Sequence, residues 1–137
     1  MNDLPSTVEK GTFGEIFVQL RLLQHSVQAA PPIKDTGNDL IAVRKNCFRA
    51  VQVKTTASGF PISFELAKLP DLYHILALVL FTNLKHDEGS PDFSVSLDNA
   101  RIFLLKHEQI TKGYWVEEEL LPFEINRNLI DELFPSE

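Results

Sequence analysis

The sequence predicts an α/β domain built on a mixed sheet of about five strands flanked by helices. Three observations lead there. From about Gly11 to His25, apolar residues recur at the 3, 4 and 7 spacing of a helix. Asp39–Val43 and Phe48–Lys54 are short β-rich runs joined by Arg44-Lys45-Asn46-Cys47, the pattern of a hairpin. Tyr73–Phe81 is an apolar run that suits a central strand covered on both faces. Helix, hairpin and buried strand in that order, with more strands and helices behind them, read as one α/β domain over residues 1–137.

Taken in order, the first helix follows Thr7 and Glu9. Phe13, Ile16, Phe17, Leu20 and Leu23 form one apolar face, and Val18 and Leu22 make the opposite face apolar too. Such a helix is expected to be covered on both sides. Glu15 lies three and seven residues before Val18 and Leu22, so partial burial is expected for it. Val27–Ile33 leans to β structure and stops at Pro31-Pro32, which suits an edge strand. Asp35-Thr36-Gly37-Asn38 is dense in turn formers. Beyond the hairpin, Ser58-Gly59-Phe60-Pro61 breaks the chain, and Phe64–Leu69 predicts a short helix ended by Pro70-Asp71. Lys85–Pro91 reads as a polar loop, Phe93–Leu97 and Arg101–Lys106 as two further strands. Tyr114–Leu121 and Asn126–Phe134 read as C-terminal helices split by Pro122.

Composition narrows the class. Hydrophobic residues are 44% and charged residues 23%, as in soluble globular domains, which excludes disordered and collagen-like chains. Cys47 is the only cysteine, so no internal disulfide exists and a reducing compartment is expected. The start, Met1-Asn2-Asp3-Leu4-Pro5, has neither the basic nor the apolar segment of a signal peptide. Ile75–Phe81, the longest apolar stretch, falls far short of the roughly 20 residues that span a bilayer. These features predict a cytoplasmic protein with no membrane partner. The net charge of −6 is uneven: residues 1–68 carry eight Lys/Arg against six Asp/Glu, and residues 69–137 carry five against thirteen. A polyanion should therefore meet the first half.

The hairpin brings chemistry together. With Lys45-Asn46 as the central turn residues, and Asn46 tolerating a positive φ, Val43 faces Phe48, Ile41 faces Ala50 and Asp39 faces Gln52. Opposed residues share a face, and alternation puts Lys54 on that face beyond Gln52. Asp39, Gln52 and Lys54 thus converge at one end of the hairpin, and a loop one residue longer or shorter would separate them. A carboxylate, an amide oxygen and the nearby carbonyl of Val53 are hard oxygen donors suited to Mg²⁺ or Mn²⁺. Glu15, on the packed helix, supplies a second carboxylate. Lys54 is a compact cation suited to a phosphate oxygen or to positioning a water. A metal that lowers the pKa of water, beside a lysine that offsets charge on phosphorus, is an apparatus for hydrolysing a phosphodiester.

Gly11-Thr-Phe-Gly-Glu15, Asp39-Leu-Ile-Ala-Val43 and Val51-Gln-Val-Lys-Thr-Thr56 together resemble the PD-(D/E)XK nucleases, the restriction-endonuclease-like superfamily. The likeness is nearest to small bacterial members with Gln-Val-Lys at the motif, including a group I intron homing endonuclease of that fold. It covers residues 11–56, with Tyr73–Phe81 a looser match to the next core strand. It implies a restriction-endonuclease-like mixed sheet. It also implies a catalytic set of Glu15, Asp39, Gln52 and Lys54, with Mg²⁺ or Mn²⁺ held by Asp39, Gln52, Glu15 and the Val53 carbonyl. Two departures are plain. Asn38 stands where the motif has proline, and Gln52 is neutral, which leaves more of the cation's charge to the other ligands.

The expected activity is metal-dependent endonucleolytic hydrolysis of DNA; a 137-residue protomer offers a small footprint and a duplex needs two strand cuts, so a homodimer or homotetramer is expected. Arg44, Lys45 and Arg49 around the hairpin tip are candidate contacts to the DNA backbone. The competing expectation is a catalytically inactive subunit of the same fold that binds DNA or protein, which the acidic second half and neutral Gln52 favour. Each residue also has an ordinary reading: Asp39 as a turn cap, Glu15 as a first-turn helix acid, Gln52 and Lys54 as one face of an amphipathic strand. Elsewhere, His25, His74, His86 and His107 lack metal-ligand spacing, and no phosphate-loop pattern for a nucleotide cofactor is present. Glu117-Glu118-Glu119 reads as a solvated face and Tyr114-Trp115 as core or subunit contact.

Overall fold

A computed structural model describes residues 6–33, 39–81, 85–86, 93–94 and 97–135. The elements in chain order are α1 (Ser6–Gln24), β1 (Gln28–Ala30), β2 (Leu40–Arg44), β3 (Cys47–Thr56), β4 (Ile62–Ser63), β5 (Ile75–Leu80), β6 (Lys85–His86), β7 (Phe93–Ser94), β8 (Arg101–Lys106), β9 (Tyr114–Trp115), α2 (Glu117–Leu120) and α3 (Arg127–Leu133). Single 3₁₀ turns lie at Leu66–Lys68, His107–Gln109 and Leu121–Phe123.

The main sheet has five strands in the order β1-β2-β3-β5-β8. β3 and β5 run parallel and every other neighbouring pair is antiparallel, so the sheet is mixed. The α/β class and the five-strand mixed sheet are those the sequence predicts. The hairpin register is also the predicted one: Val43 pairs with Phe48, Ile41 with Ala50 and Leu40 with Val51. The turn meets its geometry differently, because the positive φ of 55° falls on Lys45 and not on Asn46. Loop length, not the identity of the left-handed residue, sets the pairing.

Two cores sandwich this sheet. Phe17, Val18 and Leu22 of α1 and Leu129, Ile130 and Leu133 of α3 pack on one face, against Leu40, Val51, Val53, Ile75, Ala77, Val79, Ile102 and Leu104. Trp115, Ile62 and Leu120 cover the other face at Leu76, Leu78, Leu80, Phe103 and Leu105. All six residues of β5 are buried, which is why its sequence shows no alternation.

Several elements depart from expectation. Tyr114-Trp115 is a strand, pairing with Ile62-Ser63, so the predicted helix over Tyr114–Leu121 shrinks to Glu117–Leu120. The Trp115 ring is buried and its Nε1–H donates to the carbonyl of Lys112, 3.0 Å away; this tertiary anchor outweighs helix propensity. Phe64–Leu69 forms only one 3₁₀ turn. Of the predicted loop Lys85–Pro91, Lys85-His86 pairs with Phe93-Ser94 as a hairpin ladder; residues 87–92 and 95–96 lie outside the described ones. The turn over residues 35–38 also lies outside them. Asn126–Phe134 is confirmed as a helix, with the Asn126 side chain accepting from the Leu129 N–H at 2.9 Å as its N-cap.

The first helix is longer than predicted at its start, and among the described residues one side of it packs on the sheet. Gly14, Phe17, Val18 and Leu22 face the sheet, whereas Phe13, Ile16, Leu20 and Leu23 are 39–57% exposed. Gly14 explains the choice. A Cβ there would stand 1.8 Å from Thr55 Oγ1, so the helix backbone rests directly on β3 and turns the larger apolar stripe outward.

Candidate functional site

The candidate site lies where β2 and β3 part. Their ladder ends at the Leu40–Val51 pair, and past it the Asp39 side chain takes over the role of a strand partner: its Oδ2 accepts the Val53 N–H at 2.9 Å. In a strand the N–H and C=O of one residue project to the same edge, so the Val53 carbonyl also lies on the Asp39 side. Gln52, whose backbone faces β5, is 8% exposed, and its side-chain Oε1 is buried with no hydrogen-bond partner. Lys54 is half-buried and follows Gln52 on the same face of β3.

Glu15 reaches the fork from α1, the layer on the other face of the sheet. The Gly14–Thr55 approach brings it there, and Glu15 and Asp39 share a hydrogen bond. Burial first, then the charge of Asp39 and that hydrogen bond, hold the Glu15 carboxyl above the ordinary carboxylate range. Glu15 and Asp39 therefore meet at the fork beside the Val53 amide, while Gln52, with its orphaned amide oxygen, and Lys54 project from the face of β3 opposite to the Val53 side chain. Among the described residues there is no group of three or more His, Cys, Asp or Glu placed to hold a metal, and this set holds two carboxylates.

The donor set nonetheless fits a hard divalent cation. A buried amide oxygen without a partner costs about 1–3 kcal/mol, and two carboxylates at hydrogen-bonding distance repel once both ionise. A cation bound among oxygen donors relieves both.

The hairpin-tip cations divide. Arg44 is 8% exposed; it donates to the Phe134 carbonyl at 3.0 Å and pairs with Asp131 at 2.8 Å. Arg49 donates through Nε to the Leu133 carbonyl at 3.1 Å. Both arginines thus satisfy the carbonyls at the C-terminal end of α3, and only Lys45, at the exposed turn, keeps its charge toward solvent. Gly14 and Thr55, which carry no charge, set the position of Glu15. The small residue directly before a helix-borne acid, and the threonine directly after the lysine, were the available signal.

A larger cleft of about 820 Å³ opens at the other end of β3, against Arg49, Tyr73, His74, Lys106, His107 and Glu132. Its groups are engaged within the fold. His74 Nδ1 accepts the Ala50 N–H at 2.8 Å, Tyr73 and His107 meet edge to face, and Lys106 pairs with Glu132 at 2.8 Å. Among the described residues no helix is long and apolar enough to cross a membrane. Comparison with protein-family models, with curated proteins and with solved structures found no match to this chain.

Proposed function

We propose that the chain is a metal-dependent endonuclease that hydrolyses DNA phosphodiester bonds. The observation that carries this reading is the meeting of Glu15 and Asp39 at the β2–β3 fork, where Asp39 accepts the Val53 N–H and the residue before Val53, Gln52, carries a buried, unpartnered Oε1. Asp39, Glu15, Gln52 Oε1 and the Val53 carbonyl would hold the ion. A Mg²⁺ or Mn²⁺ ion bound there would supply Lewis acidity toward a phosphoryl oxygen and lower the pKa of a water. The Val53 N–H fixes the direction of the Asp39 carboxylate. Lys54 orients the attacking water or donates to a non-bridging phosphate oxygen, offsetting the charge that gathers on phosphorus. Lys45 contacts the backbone of the DNA; Arg44 and Arg49 serve α3 instead.

The test incubates supercoiled plasmid with the protein and Mg²⁺ or Mn²⁺, beside Asp39→Ala and Lys54→Ala. The expected result is metal-dependent nicking or linearisation that falls on the order of 100- to 1,000-fold in each variant. Cutting that survives both substitutions, or a folded wild type that cuts with neither metal, overturns the reading. The neutral Gln52 and the acidic chain favour a second reading, a non-catalytic subunit of the same fold; retention of DNA without cutting supports it.

A further inference from the structure

We propose that the outward stripe of α1 is the contact surface between two copies of this chain, packed antiparallel about a two-fold axis. Phe13, Ile16, Leu20 and Leu23 are 39%, 48%, 51% and 57% exposed. Their spacing of three, four and three residues is that of the seam in a two-stranded coiled coil, not that of the broader stripe a helix turns to its own core. The stripe is self-complementary. Antiparallel pairing centred near Val18 sets Phe13 against Leu23 of the partner subunit and Ile16 against Leu20 of the partner subunit. Thr12, Gln19 and Gln24, which flank the stripe, are uncharged, and Glu9, which continues its line one turn before Phe13, falls beyond the paired positions. Glu15 and Arg21 project about 120° to either side of it at 100° per residue, so no like charges meet across it.

The area is that of a weak, reversible contact. The stripe contributes roughly 600 Å² over two copies, taking about 80 Å² for each half-exposed large side chain. Leu20 and Leu23 also border a groove of about 520 Å³ lined by Ala30, Ile41 and Val43, which extends the apolar surface past the helix onto β1 and β2. Helix and groove together come to roughly 800 Å², the size of a transient dimer interface. A partner with a charged surface would leave the stripe uncompensated, whereas a second copy presents the same apolar seam.

The surface stands without the nuclease reading; its antiparallel sense rests on that reading. A two-fold axis through an antiparallel helix pair keeps the same flank of each helix on the same side. Both Glu15 residues, and with them both forks, then open toward one side of the dimer. With helix axes 8–10 Å apart the two Glu15 positions stand roughly 15 Å from one another. Parallel pairing would put them on opposite sides, where one duplex could not meet both.

Sedimentation equilibrium on the wild type and on Leu20→Glu, without DNA or metal, tests the surface. The wild type should dimerise, and the variant should do so on the order of 100-fold more weakly with an unchanged circular dichroism spectrum. A monomeric wild type, or a variant that dimerises equally well, overturns the proposal. Cross-linking in a Cys47→Ser background tests the sense: Ile16→Cys mixed with Leu20→Cys should form a disulfide dimer that neither forms alone, and Ile16→Cys linking to itself overturns the antiparallel arrangement. Failure of the two readings is separable. A dimer that does not cut DNA leaves this surface intact, and a monomer that cuts removes it while the active-site assignment survives.

Discussion

Glu15 carries an electrostatic cost in the folded chain. Its carboxyl sits above the ordinary range because burial and Asp39 disfavour the charged form, so the native state binds this proton more tightly than the unfolded state does. Stability therefore falls as pH rises from the unfolded carboxylate value through the raised folded value, and the loss is complete above it. Glu15→Gln should remove that descent. In metal-free urea titrations the variant is expected to be more stable than wild type above this acid window and to converge on it below. Equal pH profiles would show that neither burial nor Asp39 raises the Glu15 carboxyl. Gln52→Leu makes a related case. It deletes the orphaned amide oxygen, so metal-free stability is expected to rise by roughly 1 kcal/mol while any Mg²⁺-dependent gain disappears. A loss of stability in the metal-free variant would mean that Oε1 is satisfied in solution.

At the scale of elements, α1 and α3 are held to the sheet by specific groups. Gly14→Ala would push α1 off Thr55, a stiff β-branched side chain backed by the core, and should cost about 1–3 kcal/mol in chemical denaturation. Because Glu15 follows it, cleavage should fall by more than the loss of folded protein explains, which kinetics at saturating folded fraction would reveal. On α3, the Asn126 cap secures one end, and Arg44 and Arg49 satisfy carbonyls at the other. Asn126→Ala is expected to cost about 1 kcal/mol, read from the shift of the urea midpoint at constant slope. The hairpin shows the opposite relation, in which local rules alone suffice: a two-residue turn sets the pairing wherever the left-handed φ lands.

For the molecule as a whole, a ligand that binds only the folded fork must stabilise the entire cooperative unit. Mg²⁺ at 100 times its dissociation constant is expected to add about 2.7 kcal/mol, visible as a rise in Tm by calorimetry and absent in Asp39→Ala. An equal rise in the variant would place cation binding elsewhere. The same scale explains the paired arginines. Arg44 and Arg49 lie next to the hairpin tip in the chain, yet the fold turns them inward onto α3, so the basic count of the first half overstates the charge open to a polyanion.

How much was legible beforehand follows from range. Hairpin pairing and the doubly buried strand β5 depend on loop length, side-chain alternation and local hydrophobicity, all of which neighbouring residues determine. The side of α1 that turns inward, the Glu15–Asp39 contact, the unpartnered Gln52 oxygen and the capping role of the arginines belong to the tertiary structure. Each depends on what a distant segment presses against it, and helical spacing alone could not rank one apolar face of α1 over the other; the close approach of Gly14 to Thr55 did.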